Sequence, residues 1–436
     1  METTTTTTRS MPIRQSQHQP AHLLPLEEID ERIRHAKTIQ SLIRGCCRTG
    51  SKDFRLRAEH VAAIMTIPLS LFGPNGLMSE RILDFEMQKF IDAISPSCKY
   101  YLRHLRKRHR ETFVSDQLGQ PSVACPSTVS HGSSRMDIDE TTSFEVKSEA
   151  SLKLQIIEPP SSAGSESEYT DELQAVELPR IDKHTLDVAE QTKCLARDGN
   201  ICVVTGAKYP NAYHIAPFTW NDTQEHIDRT FDLGPHRTFL VGKEFANRTR
   251  YLNNRDKPGE SDKAWNMISL HPQVYSWWSR GYIAFKCLEV QSLGNGESNV
   301  VLEFRWMPQT KRWFGQQIDI FNTGTGHDLK EWFNEIDQFH TPGNPPPKAR
   351  DGMRIRATTS DGAPLCSGKL ILIRMQTGEA SRFKDMIDMQ WGCILVTALS
   401  GAAGISQLLS DSNSDDKVMQ WIQNQANFAE EHELDS

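Results

Sequence analysis

Hydrolysis of a phosphodiester needs three kinds of group, and this chain carries candidates for all three in order along the sequence. His214 lies in a short segment that ends at Pro217, Asn266 opens a later apolar segment, and an aromatic segment at 274–281 follows. A neutral imidazole can take a proton from water near pH 7, and a divalent cation can stabilise the charge on the leaving oxygen. The sequence therefore predicts a site with His214 as general base, Asn266 as a holding residue and a metal ligand from the aromatic segment.

Four short elements have to position these groups. Residues 202–206 end in Thr-Gly and predict a turn, and residues 211–217 predict a strand. Residues 266–270 predict a second strand, and residues 274–281 predict a helix. The insertion between the strands, 221–263, is polar, and we expect a surface loop there. Spacing singles out none of its possible ligands, which are His226, His236, Asp228, Asp232 and Glu244.

Residues 194–286 resemble the fungal-type HNH nuclease domain through an ordered set of motifs. The matching pieces are 197–206, 214–218, 266–270 and the helix with Trp277 and Trp278. The resemblance implies a ββα-metal core, in which two antiparallel strands and one helix surround a divalent ion such as Mg²⁺, Mn²⁺ or Zn²⁺. It also implies that His214 is the general base and that Asn266 orients the loop or the His ring.

The metal half of the pattern departs from the family. The acid that often precedes the first His is Tyr213 here, and the helix His, nine residues after Asn266, is Tyr275. The acid often seen four residues further on is Ser279. A phenol with an unperturbed pKa of about 10 is a poor Mg²⁺ ligand at neutral pH. His271 lies nearby and could substitute as a metal ligand only if its turn bends inward.

Two functions remain open at this point. The first is a divalent-metal-dependent HNH endonuclease that hydrolyses DNA or RNA. The second is a catalytically inactive HNH-fold module that binds protein or nucleic acid, and the departures at the metal positions favour it. The N-terminal helices could also bind a protein partner, and the acidic linker could carry a regulatory contact. No small-molecule cofactor is expected.

Composition divides the chain into five parts. We expect a tail at 1–22, a separate helical domain at 23–115 and a disordered, Ser-rich and acidic linker at 116–179. Residues 180–410 predict the HNH-like α+β domain, with added strands and C-terminal helices, and residues 411–436 predict a last helix and tail. The predicted fold class is therefore α+β with a separate N-terminal helical domain.

Charge and cysteine content limit the classes of partner and compartment. The net charge of −7 excludes a basic nucleic-acid coat, so any nucleic-acid contact needs a local patch. The nine Cys include no Cys-x-x-Cys pair, and no secretory leader precedes them, which favours a nuclear or cytoplasmic protein that is not secreted. The apolar run at 391–405 is shorter than the about 20 residues of a membrane span and predicts a buried helix.

Two further groups of residues each have a functional and a structural interpretation. The basic run at 100–110 is either an import signal or phosphate-contacting face, or a solvated helix end. A second set of cations, Lys243, Arg248, Arg250 and Arg255, could contact phosphate, although a solvated loop is favoured. Four tryptophans could stack on bases, although core packing is favoured: Trp277, Trp278, Trp306 and Trp313.

Overall fold

The computed structural model describes residues 20–45, 52–82, 84–118, 183–242, 244–254, 256–323, 327–340 and 357–405. The predicted tail at 1–22 falls outside these ranges except for its last three residues. The linker predicted for 116–179 falls outside them after residue 118, and the predicted final helix at 411–436 falls outside them entirely.

Three helices form the N-terminal part. They are α1 (Ile29–Gly45), α2 (Ala58–Thr66) and α3 (Asp84–Leu118). The sequence predicts two helices separated at Ser95-Pro96, whereas α3 is continuous and contains Pro96. Both halves of α3 bury apolar side chains in the same core, Ile91 and Ile94 on one side of the proline and Tyr101 on the other. This shared burial offsets the cost of a proline in a helix, about 3 kcal/mol.

The middle of the chain contains the two short strands and the insertion between them. Its elements are α4 (Val188–Arg197), β1 (Asn211–His214), α5 (Gln224–Asp232), α6 (Gly234–Val241), α7 (Glu244–Arg248), β2 (Met267–Leu270) and α8 (Pro272–Trp278). The expectation of a surface loop at 221–263 is wrong, because α5, α6 and α7 lie within it. The insertion is ordered by its apolar side chains, including the buried Ile227, Phe239 and Phe245.

The C-terminal part adds strands and a long helix. Its elements are β3 (Ile283–Ser292), β4 (Glu297–Trp306), β5 (Ile318–Asp319), β6 (His327–Asp328), α9 (Leu329–Asp337), β7 (Lys369–Gln376) and α10 (Thr377–Leu399). Strands β3, β4 and β7 form an antiparallel sheet in that order, and β1 pairs antiparallel with β2. A parallel pair, β5 and β6, completes the described strands.

One hydrophobic core joins the N-terminal helices to the rest of the described chain. The described residues of 20–115 and of 183–405 belong to one compact unit. The sequence predicts a separate helical domain at 23–115, yet all residues from Ala58 to Met65 in α2 are buried, and α2 packs on α10. The helices α1 to α3 therefore contribute to the same core as the sheets. Among the described residues, no helix has the length and apolar character to cross a membrane.

Candidate functional site

Asn266 joins the end of β1 to the start of β2. Its backbone carbonyl accepts from the amide of Ile215 at 2.8 Å, and its side-chain oxygen accepts from the amide of Ala216 at 2.8 Å. Its side-chain nitrogen donates to the carbonyls of Ala216 at 3.1 Å and Ser261 at 3.0 Å. The asparagine is fully buried. These bonds hold the loop that immediately follows His214.

His214 is the last residue of β1, and it pairs with a buried carboxylate. Its Nε2 lies 2.7 Å from Oδ1 of Asp262, and the two side chains are each 1% exposed. The other oxygen of Asp262 accepts from the Asp187 amide at 2.7 Å and lies 3.2 Å from Nε2 of His184. One carboxylate therefore holds two imidazoles. A buried carboxylate is tolerated when hydrogen bonds compensate for its removal from water.

The segment 183–187, which we call the strap, contacts this pair through Asp262. The His184 ring lies against Gly259, where an added Cβ would come within 2.2 Å of the ring. The backbone amide of His184 donates to the carbonyl of Asp222 at 2.8 Å. The buried carboxylate of Asp222 lies 2.5 Å from Nδ1 of His226. The strap thus contacts the aspartates of two His–Asp pairs.

The positions of the expected metal ligands contain two stacked tyrosines. Tyr275 is 1% exposed, and its ring stacks on Tyr213 with centroids 3.7 Å apart and planes 9° apart. The hydroxyl of Tyr275 donates to the backbone carbonyl of Leu105 in α3. Both phenol rings are therefore part of the core.

The alternative ligand, His271, is engaged at the start of α8. Its Nδ1 accepts from the amide of Gln273 at 3.3 Å, so its side chain caps the helix. Ser279, the position of the second family acid, is buried, and its hydroxyl donates to the carbonyl of Ser276 at 3.3 Å. In these contacts, neither the His271 nor the Ser279 side chain points to a position that His214 also reaches.

Helix α4 holds β2 in place through an arginine and an aspartate. Arg197 donates to the carbonyl of Met267 at 2.9 Å and pairs with Asp198 at 2.6 Å. The Asp198 carboxylate accepts from the amide of Ser269 at 3.0 Å. Burial raises the pKa of the neighbouring Cys194 thiol to about 12. The Arg-Asp pair thus fixes the strand that Asn266 opens.

The residues just described lie within or beside a segment that matches a known protein family. Residues 202–286 match the family model described as HNH endonuclease. The chain carries an HNH nuclease domain. No curated protein and no solved structure matches the chain. The family match supports a nuclease-like function in outline and leaves the chemistry of this particular domain to its residues.

The described side chains of the HNH domain do not fit a divalent ion. Among the described residues, no group of three or more His, Cys, Asp or Glu side chains is placed to hold one. Nε2 of His214 is already engaged, because it is in direct hydrogen-bond contact with Oδ1 of Asp262 at 2.7 Å. The neutral phenols of Tyr213 and Tyr275 provide no carboxylate or imidazole in their place.

Helix α3 contacts the HNH domain at Ile215, Thr219 and Tyr275. The Tyr101 hydroxyl donates to the carbonyl of Ile215 at 2.7 Å, and Nδ1 of His104 lies 2.7 Å from the hydroxyl of Thr219. The third contact is the hydrogen bond from the Tyr275 hydroxyl to the backbone carbonyl of Leu105. Burial raises the pKa of Tyr101 well above its usual value, so its hydroxyl remains a donor.

The other candidate residues are mostly engaged in packing. Arg248 pairs with Asp385 at 2.7 Å, whereas Arg250 is exposed, and Lys243 and Arg255 lie outside the described residues. All four candidate stacking tryptophans are buried: Trp277, Trp278, Trp306 and Trp313. Of these basic and aromatic residues, the tryptophans belong to the core.

Sequence reasoning missed Asp262 and Tyr101. Asp262 lies four residues before Asn266, and this spacing is a usable signal, since residues that lead into β2 must pass the end of β1 beside His214. Tyr101 lies in the basic run, and only the fold brings it to Ile215, 114 residues further along the chain.

Proposed function

We propose that the HNH domain is a catalytically inactive scaffold that binds nucleic acid without cutting it. The stack of Tyr213 on Tyr275 is the observation that carries this proposal, since it places two neutral, buried rings at the family's metal positions. In this proposal the paired strands β1 and β2 and the helix α8 correspond to the ββα core of the family.

The loss of the metal position removes the main source of rate enhancement. Phosphodiester hydrolysis at neutral pH depends on a cation to stabilise charge on the phosphate and on the leaving oxygen. Tyr275 cannot turn toward an ion without breaking its bond to Leu105 and its stack on Tyr213. A general base alone contributes about 10²–10⁴-fold, which is far less than phosphodiester cleavage needs.

Access to the base is also closed. His214 is 2% exposed, its partner Asp262 contacts the strap, and it lies beside the residues that contact α3. A general base must come within hydrogen-bond reach of the water that it deprotonates, about 2.6–3.2 Å. A polynucleotide could reach that distance only after the strap and α3 had moved.

The nucleic-acid part of the proposal is supported by the family and by the direction of α3. Beyond Leu105, which accepts the Tyr275 bond, α3 continues through Arg106, Lys107, Arg108 and Arg110. The HNH domain thus anchors a helix with a dense basic run, although the whole chain has a net charge of −7. Such a local run is the feature that phosphate contacts require.

A nuclease assay tests the catalytic half of the proposal. Plasmid DNA and a structured RNA are incubated with wild type and His214→Ala in Mg²⁺, Mn²⁺ or Zn²⁺. We expect no product that depends on both the metal and His214. Cleavage by wild type that disappears in the variant would show that the domain is an active nuclease.

Fluorescence anisotropy with labelled oligonucleotides tests the binding half. In one variant, Gln replaces the four cations of the α3 run, and in the control it replaces four exposed or half-buried cations elsewhere: Lys193, Arg229, Arg312 and Lys330. We expect the first variant alone to weaken binding, with the slope of log K against log salt falling by about 0.7–0.9 per lost phosphate contact. Equal losses in both variants would indicate non-specific charge attraction only.

A second candidate function is hydrolysis with His214 as the base. The bond from His214 to Asp262 favours it, because a buried carboxylate that orients an imidazole is a common arrangement for a general base. The same nuclease assay separates the two candidates. Metal-dependent product that requires His214 would favour this second function.

A further inference from the structure

Arg237 lies in α6, and its guanidinium is inside the protein. The residue is 4% exposed. Its Nη2 donates to the backbone carbonyl of Thr230 at 2.8 Å and to Oδ1 of Asn253 at 3.1 Å. The other two guanidinium nitrogens, Nε and Nη1, are buried and have no hydrogen-bond acceptor among the residues that the structure describes. Buried polar atoms without a partner are rare in folded proteins, so this guanidinium needs a physical explanation.

No carboxylate balances the charge of Arg237 in the described part of the chain. The side chains that act on it electrostatically are the thiol of Cys393 and the phenol of Tyr251. Burial raises the pKa of both groups above their usual values, so both are neutral at pH 7. Burial lowers the pKa of Arg237 to about 10, so its guanidinium is still charged at pH 7. Arg237 is therefore a buried cation without an anionic partner among these residues, an arrangement that removal from water makes costly.

Two other buried arginines show how the chain compensates such a charge elsewhere. Arg32 pairs with Glu28 at 2.6 Å, and Arg305 pairs with Glu303 at 2.6 Å. Both arginines are buried as deeply as Arg237. In each pair the carboxylate both accepts a hydrogen bond and supplies the opposite charge. Because the described chain gives Arg237 neither, we expect its compensating anion to come from solution.

The unpartnered groups around Arg237 are mainly hydrogen-bond donors. Its Cζ lies 5.9 Å from the centroid of the Trp220 ring, whose π face compensates part of the charge. Nε1 of Trp220 and the hydroxyl of Tyr251 are also buried without a hydrogen-bond partner among the described residues. The guanidinium and the indole nitrogen can only donate. A water molecule would accept from them, but it would bring two hydrogens that need acceptors of their own. An anion brings no such hydrogens, and it also balances the charge.

We propose that Arg237 binds a small monovalent inorganic anion, chloride in ordinary solution, through Nε and Nη1. Because the guanidinium is buried, the site admits a small ion and not the phosphate of a polynucleotide, so it is separate from the nucleic-acid contact proposed for α3. Its role is structural. Arg237 joins α6 to α5 through Thr230 and to the turn at 250–253 through Asn253, and the bound anion stabilises this junction of the insertion.

Thermal unfolding of the full chain tests the proposal, with sodium chloride replacing sodium gluconate step by step at constant ionic strength. A ligand that binds only the folded chain raises the melting temperature, here by about 2–4 °C for each tenfold increase above its dissociation constant. We expect this rise in wild type and its loss in Arg237→Met. The matched control, Arg32→Met, removes a buried arginine that has its own carboxylate, so chloride should still raise its melting temperature. A wild type that melts equally in both salts, an unchanged chloride dependence in Arg237→Met, or its loss in both variants would overturn the proposal.

Crystals of wild type in sodium bromide test the site without any substitution, so the result holds even if Arg237→Met does not fold. Bromide takes the place of chloride and is located by its anomalous scattering. We expect a peak within hydrogen-bond distance of Nε or Nη1 of Arg237, and an excess of chloride should remove it. Crystals that show bromide at other positions and none beside Arg237 would refute the proposal. Density at that position that is the same in bromide and in gluconate would identify a water molecule and refute it as well.

Discussion

The bond from Tyr275 to Leu105 gives a direct test of whether the residue at the expected metal position joins α3 to the HNH domain. We change Tyr275 to Phe, which removes only the hydroxyl and retains the ring that stacks on Tyr213. The matched control is Tyr209→Phe, the same chemical change at a side chain that is 88% exposed.

The expected magnitude follows from what remains after the hydroxyl is removed. In Tyr275→Phe, the buried carbonyl of Leu105 no longer accepts a hydrogen bond from the Tyr275 hydroxyl. An unsatisfied buried polar group lowers the free energy of unfolding by about 1–3 kcal/mol. The ring that stacks on Tyr213 is present in both wild type and Tyr275→Phe, so its contribution cancels in the difference between their free energies of unfolding. For the exposed control, surface substitutions change the free energy of unfolding by about 0.5 kcal/mol or less.

Urea unfolding followed by tryptophan fluorescence measures both differences, with the midpoint and the slope fitted separately. We expect Tyr275→Phe to lower the free energy of unfolding by about 1–3 kcal/mol with an unchanged slope. Tyr101→Phe, which removes the bond to Ile215, should give a loss of the same order. If Tyr275→Phe and Tyr209→Phe were equally stable, the hydroxyl would not hold α3, and the reasoning would be refuted.

Three more outcomes follow. Gly259→Ala should destabilise the protein more than Gly294→Ala. Both glycines have positive φ, at 79° and 78°, but only an alanine at 259 would place its Cβ against the ring of His184. Equal losses in the free energy of unfolding in urea would contradict the position of the strap. Burial raises the pKa of Cys194 to about 12, so at pH 8 only roughly one thiol in ten thousand is ionised. Iodoacetamide should therefore label it only in urea, and rapid labelling of the native chain, detected by peptide mass mapping, would count against its burial. Millimolar Mn²⁺ or EDTA should leave the melting temperature unchanged, whereas a rise with Mn²⁺ that EDTA reverses would reveal a metal site formed by other residues.

Local patterns predict the elements around the site. The apolar segment before Pro217 is β1, the segment after Asn266 is β2, and the aromatic segment is α8. Each of these three elements is determined by residues that are neighbours in the sequence, so a local sequence pattern predicts it. The family motif also marks Tyr213 and Tyr275 as the positions to question, and the structure has two stacked, buried rings there.

The rest depends on distant contacts. The partner of Tyr275 is 170 residues away in the chain, and the continuity of α3 through Pro96 depends on the core that both halves share. Asp262 lies in a segment that looks polar and loop-like, but α6 and α7 of that segment pack into the core, and the Asp262 carboxylate lies beside His214. Such pairings arise from tertiary packing, which overrides local preference.

The contact of α3 with the HNH domain limits how the domain can be isolated. A fragment cut to residues 202–286 would lose Tyr101, His104 and Leu105, together with the strap. The stacked tyrosines would then face water, and the carbonyl of Ile215 would lose its buried donor. Expression of such a fragment would yield a chain with an exposed aromatic surface that is prone to aggregate. The smallest unit suited to biochemistry therefore begins before α1 and extends through α10.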